Sequence, residues 1–337
     1  MKKNYLFVVL VLLASGFVGC SDDDDSYDWR KVFEKEQANI ANFVKDKNPK
    51  VFTYHYTYKN EAVTDYAYVF DYAATGTTAK SGEFVWVNYK QKSLINEALI
   101  DATDLSAAVG AGIIPSYTLG GPILMQINPD LEKYTDPLSD LLMCIPEGTS
   151  GNTIISSIMS LANYYIYREY KIERIVAEKN LLKYEESLID NYLDTVAGLN
   201  PANIIEFTSD ETIVNNDTIA KIAKFELGTG DAITATDSVT IWLEGNILDA
   251  FGTSRRFLKM GENEESVKES VSSLKPDALR VAVLKLKVGD EAQILLPSGM
   301  GYGYRGGYVS GYCMIPSYST LLYTVKIIDR KENPKKD

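Results

Sequence analysis

Histidine is nearly absent from this 337-residue chain: His55 stands alone, so no chemistry that needs two imidazoles is open to it. The three cysteines, Cys20, Cys144 and Cys313, leave too few ligands beside that histidine to build a His/Cys zinc cage. A surplus of positive charge is also missing. Lys and Arg number 34 against 46 Asp and Glu, for a net charge of −12, which argues against nucleic acid as a partner, because phosphates demand clustered basic residues. Long apolar runs are scarce too: the run from Tyr5 to Ala14, about ten residues, is too short to span a bilayer. What is present, 45% apolar and 24% charged residues, describes an ordinary globular protein with enough chain for about two domains. No cofactor is implied.

Lys2 and Lys3 precede the apolar run, and small residues lead from it to Cys20, the order of a secretory signal. Phe17-Val18-Gly19-Cys20 resembles a bacterial lipobox, with Phe17 in place of the usual Leu. The resemblance implies cleavage after residue 19 and a lipid on Cys20, hence a membrane anchor. Ser21-Asp22-Asp23-Asp24-Asp25 is a solvated, self-repelling tether. It is similar to the acidic export signal of Bacteroidetes lipoproteins, which implies an outer-membrane lipoprotein, surface-exposed or facing the periplasm. Cys144 and Cys313 then remain, and read as two separate buried thiols rather than a pair.

The rest reads as one unit written twice. Glu36-x-x-x-Ile40 recurs as Glu185-x-x-x-Ile189, each followed by an Asn-Pro stop, Asn48-Pro49 and Asn200-Pro201. Val85-x-Val87-x-Tyr89 recurs as Val239-x-Ile241-x-Leu243, a period-2 strand both times. The segments are a signal peptide over 1–19, a tether over 20–27, a first unit over 28–177, a second over 178–331 and a charged tail over 332–337. Each unit is expected to be a helix followed by an antiparallel sheet with one short helix, an α+β architecture.

In the second unit the order Gly289-Asp290, Ile294-Leu295-Leu296-Pro297-Ser298, Met300-Gly301-Tyr302-Gly303, a Gly/Tyr flap to Tyr312, Met314-Ile315-Pro316 and Leu321-Leu322-Tyr323 is distinctive. It resembles the ending of FKBP-type peptidyl-prolyl cis-trans isomerases, and the doubled chain resembles Bacteroidetes lipoproteins with two FKBP-like units. The resemblance implies that X-Pro bonds of proline-containing polypeptides are twisted in an apolar aromatic pocket. Rotation breaks amide resonance at a cost of about 18–20 kcal/mol, and needs neither proton nor nucleophile. By the same resemblance, Tyr302 and Phe251 stand at catalytic positions. Leu243, Leu279, Met314, Ile315 and Tyr323 stand at substrate-binding ones. Leu243, Gly252 and Leu279 replace the family's Tyr, Asp and Trp. The first unit keeps Tyr89 and an Ile100-Asp101 pair but lacks the flap, which implies a structural, peptide-holding or dimerising role. The rival reading is a non-catalytic surface lipoprotein that holds a peptide or glycan on the same scaffold.

Gly301-x-Gly303-x-x-Gly306 matches a dinucleotide fingerprint in form only, since the residues after it are not helical. The Asp22–Asp25 run lacks the loop of a calcium site. His55, in an alternating stretch, reads as a sheet-surface residue.

Overall fold

A computed structural model of the chain describes residues 28–128, 136–160, 164–208, 219–252, 255–261, 266–309 and 313–332. The segments read from sequence as a signal peptide and an acidic tether, Cys20 with them, and residues 310–312 of the flap lie outside these residues. Two seven-stranded antiparallel sheets, each with its own helices, give an α+β architecture.

The first unit opens with α1 (Trp29–Val44), capped by Asp28, whose carboxylate accepts the N–H groups of Arg30 and Lys31. There follow β1 (Lys50–Tyr58), β2 (Glu61–Phe70), β3 (Phe84–Lys92), β4 (Leu99–Ala102), α2 (Leu105–Gly110), β5 (Ile123–Gln126), α3 (Pro137–Leu142), β6 (Ser150–Ile155) and β7 (Ile166–Val176). The second opens with α4 (Leu181–Thr195), capped by Asn180. It continues through β8 (Ile204–Phe207), β9 (Ala220–Glu226), β10 (Asp237–Leu248), β11 (Arg255–Met260), β12 (Val267–Ser270), α5 (Asp277–Val283), β13 (Glu291–Leu296), β14 (Gly307–Val309), β15 (Cys313–Ile315) and β16 (Thr320–Glu332).

The doubling extends to the topology. The first sheet runs β1-β2-β6-β7-β3-β4 with β5 also on β3; the second runs β8-β9-β13-β16-β10-β11 with β12 also on β10. Element for element the two orders are the same. The alternation read from sequence explains why: Val85, Val87 and Tyr89 are buried on β3, as Val239, Ile241 and Leu243 are on β10. Only the second unit adds the β14–β15 ribbon.

The repeated Glu of each helix has a matching task. Glu36 accepts the backbone N–H of Ser157, just beyond β6, at 2.8 Å. Glu185 accepts that of Ser298, just beyond β13, at 2.7 Å. In each helix the Ile one turn later, Ile40 or Ile189, is buried against its own sheet. Burial raises both carboxyl pKa values, that of Glu185 to about 7.

The two units pack against each other. Phe84 and Trp86 on β3 meet Tyr318 and Phe251 at ring distances of 5.7 and 5.6 Å, both edge-on. The Trp86 indole N–H donates to Tyr184 Oη at 2.8 Å, which ties α4 to the first sheet. Cys144 is a free, half-buried thiol, and His55 lies exposed on the sheet, its Nδ1 3.1 Å from Thr64 Oγ1.

Candidate functional site

The second sheet curls around α5, and one apolar cluster fills the space between them. Leu243 from β10, Leu279 from α5, Ile315 from β15 and Tyr323 from β16 are buried in it, and Tyr302 packs against it half-buried. The fold therefore brings together five of the seven residues read from sequence. Met314 is half-buried on β15, where it pairs across the ribbon with Tyr308.

Phe251 is placed elsewhere. It sits in the turn after β10, where its ring meets Trp86 of the first unit and lies under the Arg174 guanidinium at 5.0 Å. The aromatic that reaches the cluster is Phe257 on β11, edge-on to Tyr323 at 5.5 Å and 89°. Five residues separate the two phenylalanines in the chain, and Phe257 is the one whose ring meets Tyr323. The usable signal was alternation: in Arg255-Arg256-Phe257-Leu258 the buried residues are Arg255 and Phe257, on one face of the strand. Gly245 opposite lacks a side chain because the Phe257 and Tyr323 rings would crowd a Cβ, at 2.7 and 3.1 Å.

Two phenols define the polar part of the cluster. Tyr323 Oη is buried without a well-formed hydrogen bond among the described residues. Its phenol is held well above its ordinary pKa by burial first and by neighbouring Tyr302 second. It therefore stays protonated, a phenol beside Tyr302 inside an apolar wall. The turn bearing Tyr302 is braced from behind: Glu185 accepts from Ser298 at its start and from the Thr320 hydroxyl, at 3.0 Å, where β16 begins. The ribbon lies close over Tyr302, since a Cβ on Gly307 would stand 2.5 Å from its Cδ1. Gly301 to Gly306 form tight turns that lead into β14, not a helix, so no nucleotide-binding turn is built there.

Among the described residues no group of three or more His, Cys, Asp or Glu side chains could hold a metal ion. Nor do the residues of this cluster supply an acid–base pair. The arrangement offers an apolar, aromatic enclosure with phenol donors, which suits a neutral group whose carbonyl gains basicity on twisting.

The enclosure has a cover from outside its own unit. Leu119, in the loop between α2 and β5 of the first unit, packs half-buried on the same cluster. Arg255 Nη1 donates to the carbonyls of Gly120 and Pro122 at 3.3 and 2.7 Å, and its Nη2 pairs with Asp249 at 3.0 Å.

In the first unit, Tyr89 Oη donates to Asp101 at 2.6 Å, a contact that joins the retained strand Tyr to the Asp of the Ile100-Asp101 pair. The Arg168 guanidinium lies 4.2 Å from the Tyr89 ring and Tyr117 lies edge-on to it at 6.3 Å. Burial and Asp101 push the Tyr89 phenol far above its ordinary pKa.

No protein of curated function matches the chain. Solved structures similar to it include a peptidyl-prolyl cis-trans isomerase from Pseudomonas syringae pv. tomato, at 15% identity over 45% of this chain and 93% of that one, TM-score 0.32. The three FKBP domains of wheat FKBP73 align at 12% identity over 80% and 95%, TM-score 0.31. FkpA from Escherichia coli aligns at 20% identity over 45% and 61%, TM-score 0.33. Residues 223–328 match the family model of FKBP-type peptidyl-prolyl cis-trans isomerases, so the C-terminal part of the chain carries a domain of that family.

Proposed function

We propose that the second unit is a peptidyl-prolyl cis-trans isomerase or folding helper of the bacterial cell envelope, held to the outer membrane by a lipid on Cys20. The observation that carries the catalytic part is the convergence of Tyr302, Tyr323, Phe257 and Ile315 within the segment that matches the family. An X-Pro bond entering this enclosure exchanges water for apolar walls, which favours the twisted amide over the planar one. The Tyr302 hydroxyl is the donor for its carbonyl. The anchor and the envelope address rest on the N-terminal sequence alone.

A second reading, a non-catalytic module that holds a peptide or glycan, draws support from one feature. Leu243, Leu279 and Tyr323 are all but sealed from solvent, and the first unit contributes Leu119 to the seal.

Isomerisation of a short X-Pro peptide, measured on the purified protein and on a Leu119→Ser variant with the cover loosened, separates the two. A rate above background in either, lowered at least about tenfold by Tyr302→Phe with Phe257→Leu, supports the isomerase. No rate from either protein, both shown folded by circular dichroism, leaves the binding module.

A further inference from the structure

We propose that Arg255, braced by Asp249, is a carbonyl clamp for a Gly-Pro segment of an extended polypeptide, and that residues 119–122 of the first unit occupy it as an internal stand-in for a client. This rests on the reading of the second unit as a proline-directed enclosure.

The contacts are those of peptide recognition rather than of ordinary domain packing. One guanidinium nitrogen holds the carbonyls on either side of Gly121, with the Gly121–Pro122 bond between them, while Leu119 sits on the aromatic cluster next door. Arg255 and Phe257 lie on the same face of β11, so clamp and enclosure are adjacent by construction. Backbone carbonyls are common to all peptides, and a clamp on them leaves side-chain choice to the neighbouring apolar surface.

The clamp is costly if its only task is to join two units. The Arg255 side chain is 4% exposed and that of Asp249 is fully buried, yet Arg255 Nε has no partner among the described residues. An apolar contact would join the units without burying an ion pair and an orphaned N–H. A ligand with one more acceptor than this loop would satisfy that group.

The loop is also built to be presented. Asp101, already engaged by Tyr89, accepts the N–H of Ser116 at 2.8 Å, and Gly121 N–H donates to Thr103 O at 2.8 Å. At Gly121, φ is +76° and a Cβ would stand 3.1 Å from Arg255 Cδ, so only glycine lets the guanidinium lie across the backbone. Open clefts flank the loop, one of about 530 Å³ against Thr103 to Ser106 and one of about 210 Å³ between Tyr117 and Tyr318. The Tyr-Asp pair of the first unit thus serves to hold a finger across the mouth of the second.

The test is binding of a fluorescein-labelled peptide of residues 117–124, Tyr-Thr-Leu-Gly-Gly-Pro-Ile-Leu. It is measured on the full chain, on Leu119→Ser and Gly121→Val variants, and on each variant with Arg255→Gln added. Displacing the loop should tighten peptide binding at least about tenfold, because the free site is then populated. Arg255→Gln should remove most of that gain. Equal affinity, within about twofold, for the unaltered chain and both loop variants overturns the proposal. So does a gain that survives Arg255→Gln. Hydrogen exchange on the unaltered chain is independent of how the variants fold: saturating peptide should speed exchange of the 117–123 amides, and unchanged exchange overturns the proposal. Tight, Arg255-dependent binding without isomerisation keeps the clamp and sinks the catalytic reading alone.

Discussion

Asp290→Ala should cost the second unit about 3–5 kcal/mol, most of what holds a domain of this size together. Asp290 is buried in the turn before β13, where it accepts Lys224 Nζ at 2.7 Å and the N–H groups of Gly228 and Lys287, each at 2.8 Å. Among the described residues Lys224 Nζ has one other partner, the carbonyl of Lys285 at 3.3 Å. Truncation would therefore leave the two backbone donors without their acceptor and the buried cation with only a long contact to a carbonyl and no counter-charge, and that cost exceeds the net worth of the pair. The measurement is the urea midpoint of the variant against that of the unaltered protein. A companion Lys224→Met, Asp290→Asn chain should recover part of the loss, since the Asn carbonyl still accepts one of the two N–H groups, which Asp290 holds on separate oxygens, and no charge remains. A loss below about 1 kcal/mol for Asp290→Ala would show that water reaches the site.

Glu185→Gln should remove a pH dependence from the protein. The Glu185 carboxyl has a pKa near 7 in the fold against an ordinary 4.5, chiefly because burial disfavours its charged form. The folded state therefore binds a proton that the unfolded chain has lost throughout the interval between these values. Stability is greatest below pH 4.5 as far as this group is concerned, falls as pH rises toward 7, and is flat above that. The full change is about 3 kcal/mol. Glu36 titrates in the same direction in both proteins and cancels in the comparison. Urea unfolding at pH 5 and pH 8 reads most of the effect: the unaltered chain should lose about 2.5 kcal/mol more than the Gln variant between the two. Parallel curves would place the ionised carboxylate in contact with water.

The repeat was legible because it lives in periodicity. Glu36 and Glu185, with Ile40 and Ile189, keep helical spacing, and the Val-x-Val-x-Tyr and Val-x-Ile-x-Leu strands keep a spacing of two, so their buried faces follow from local geometry. What the paired Glu residues do was not legible, since their partners, Ser157 and Ser298, lie 121 and 113 residues away in the chain. The candidate site divides along the same line. Leu243 and Leu279 converge because each falls on the inner face of an element whose spacing orients it, and Ile315 and Tyr323, named through the family resemblance, join them from β15 and β16. Phe251 does not, because it stands in a turn, where alternation says nothing about direction and a single Phe is as good a match as another.

Sequence alone determined the composition of this protein's chemistry: one histidine, a net charge of −12 and a Gly/Tyr-rich segment from residue 299 to 312. It also determined two copies of a helix-and-sheet unit, because hydrophobic period and Asn-Pro stops act over a few residues. Tertiary structure decided where the first unit meets the second. Leu119, Gly120 and Pro122 meet Arg255 and the Tyr323 cluster only when the outer face of β3 packs on the turn after β10. That packing is a match of two surfaces more than a hundred residues apart, and no local rule of spacing carries information over such a distance.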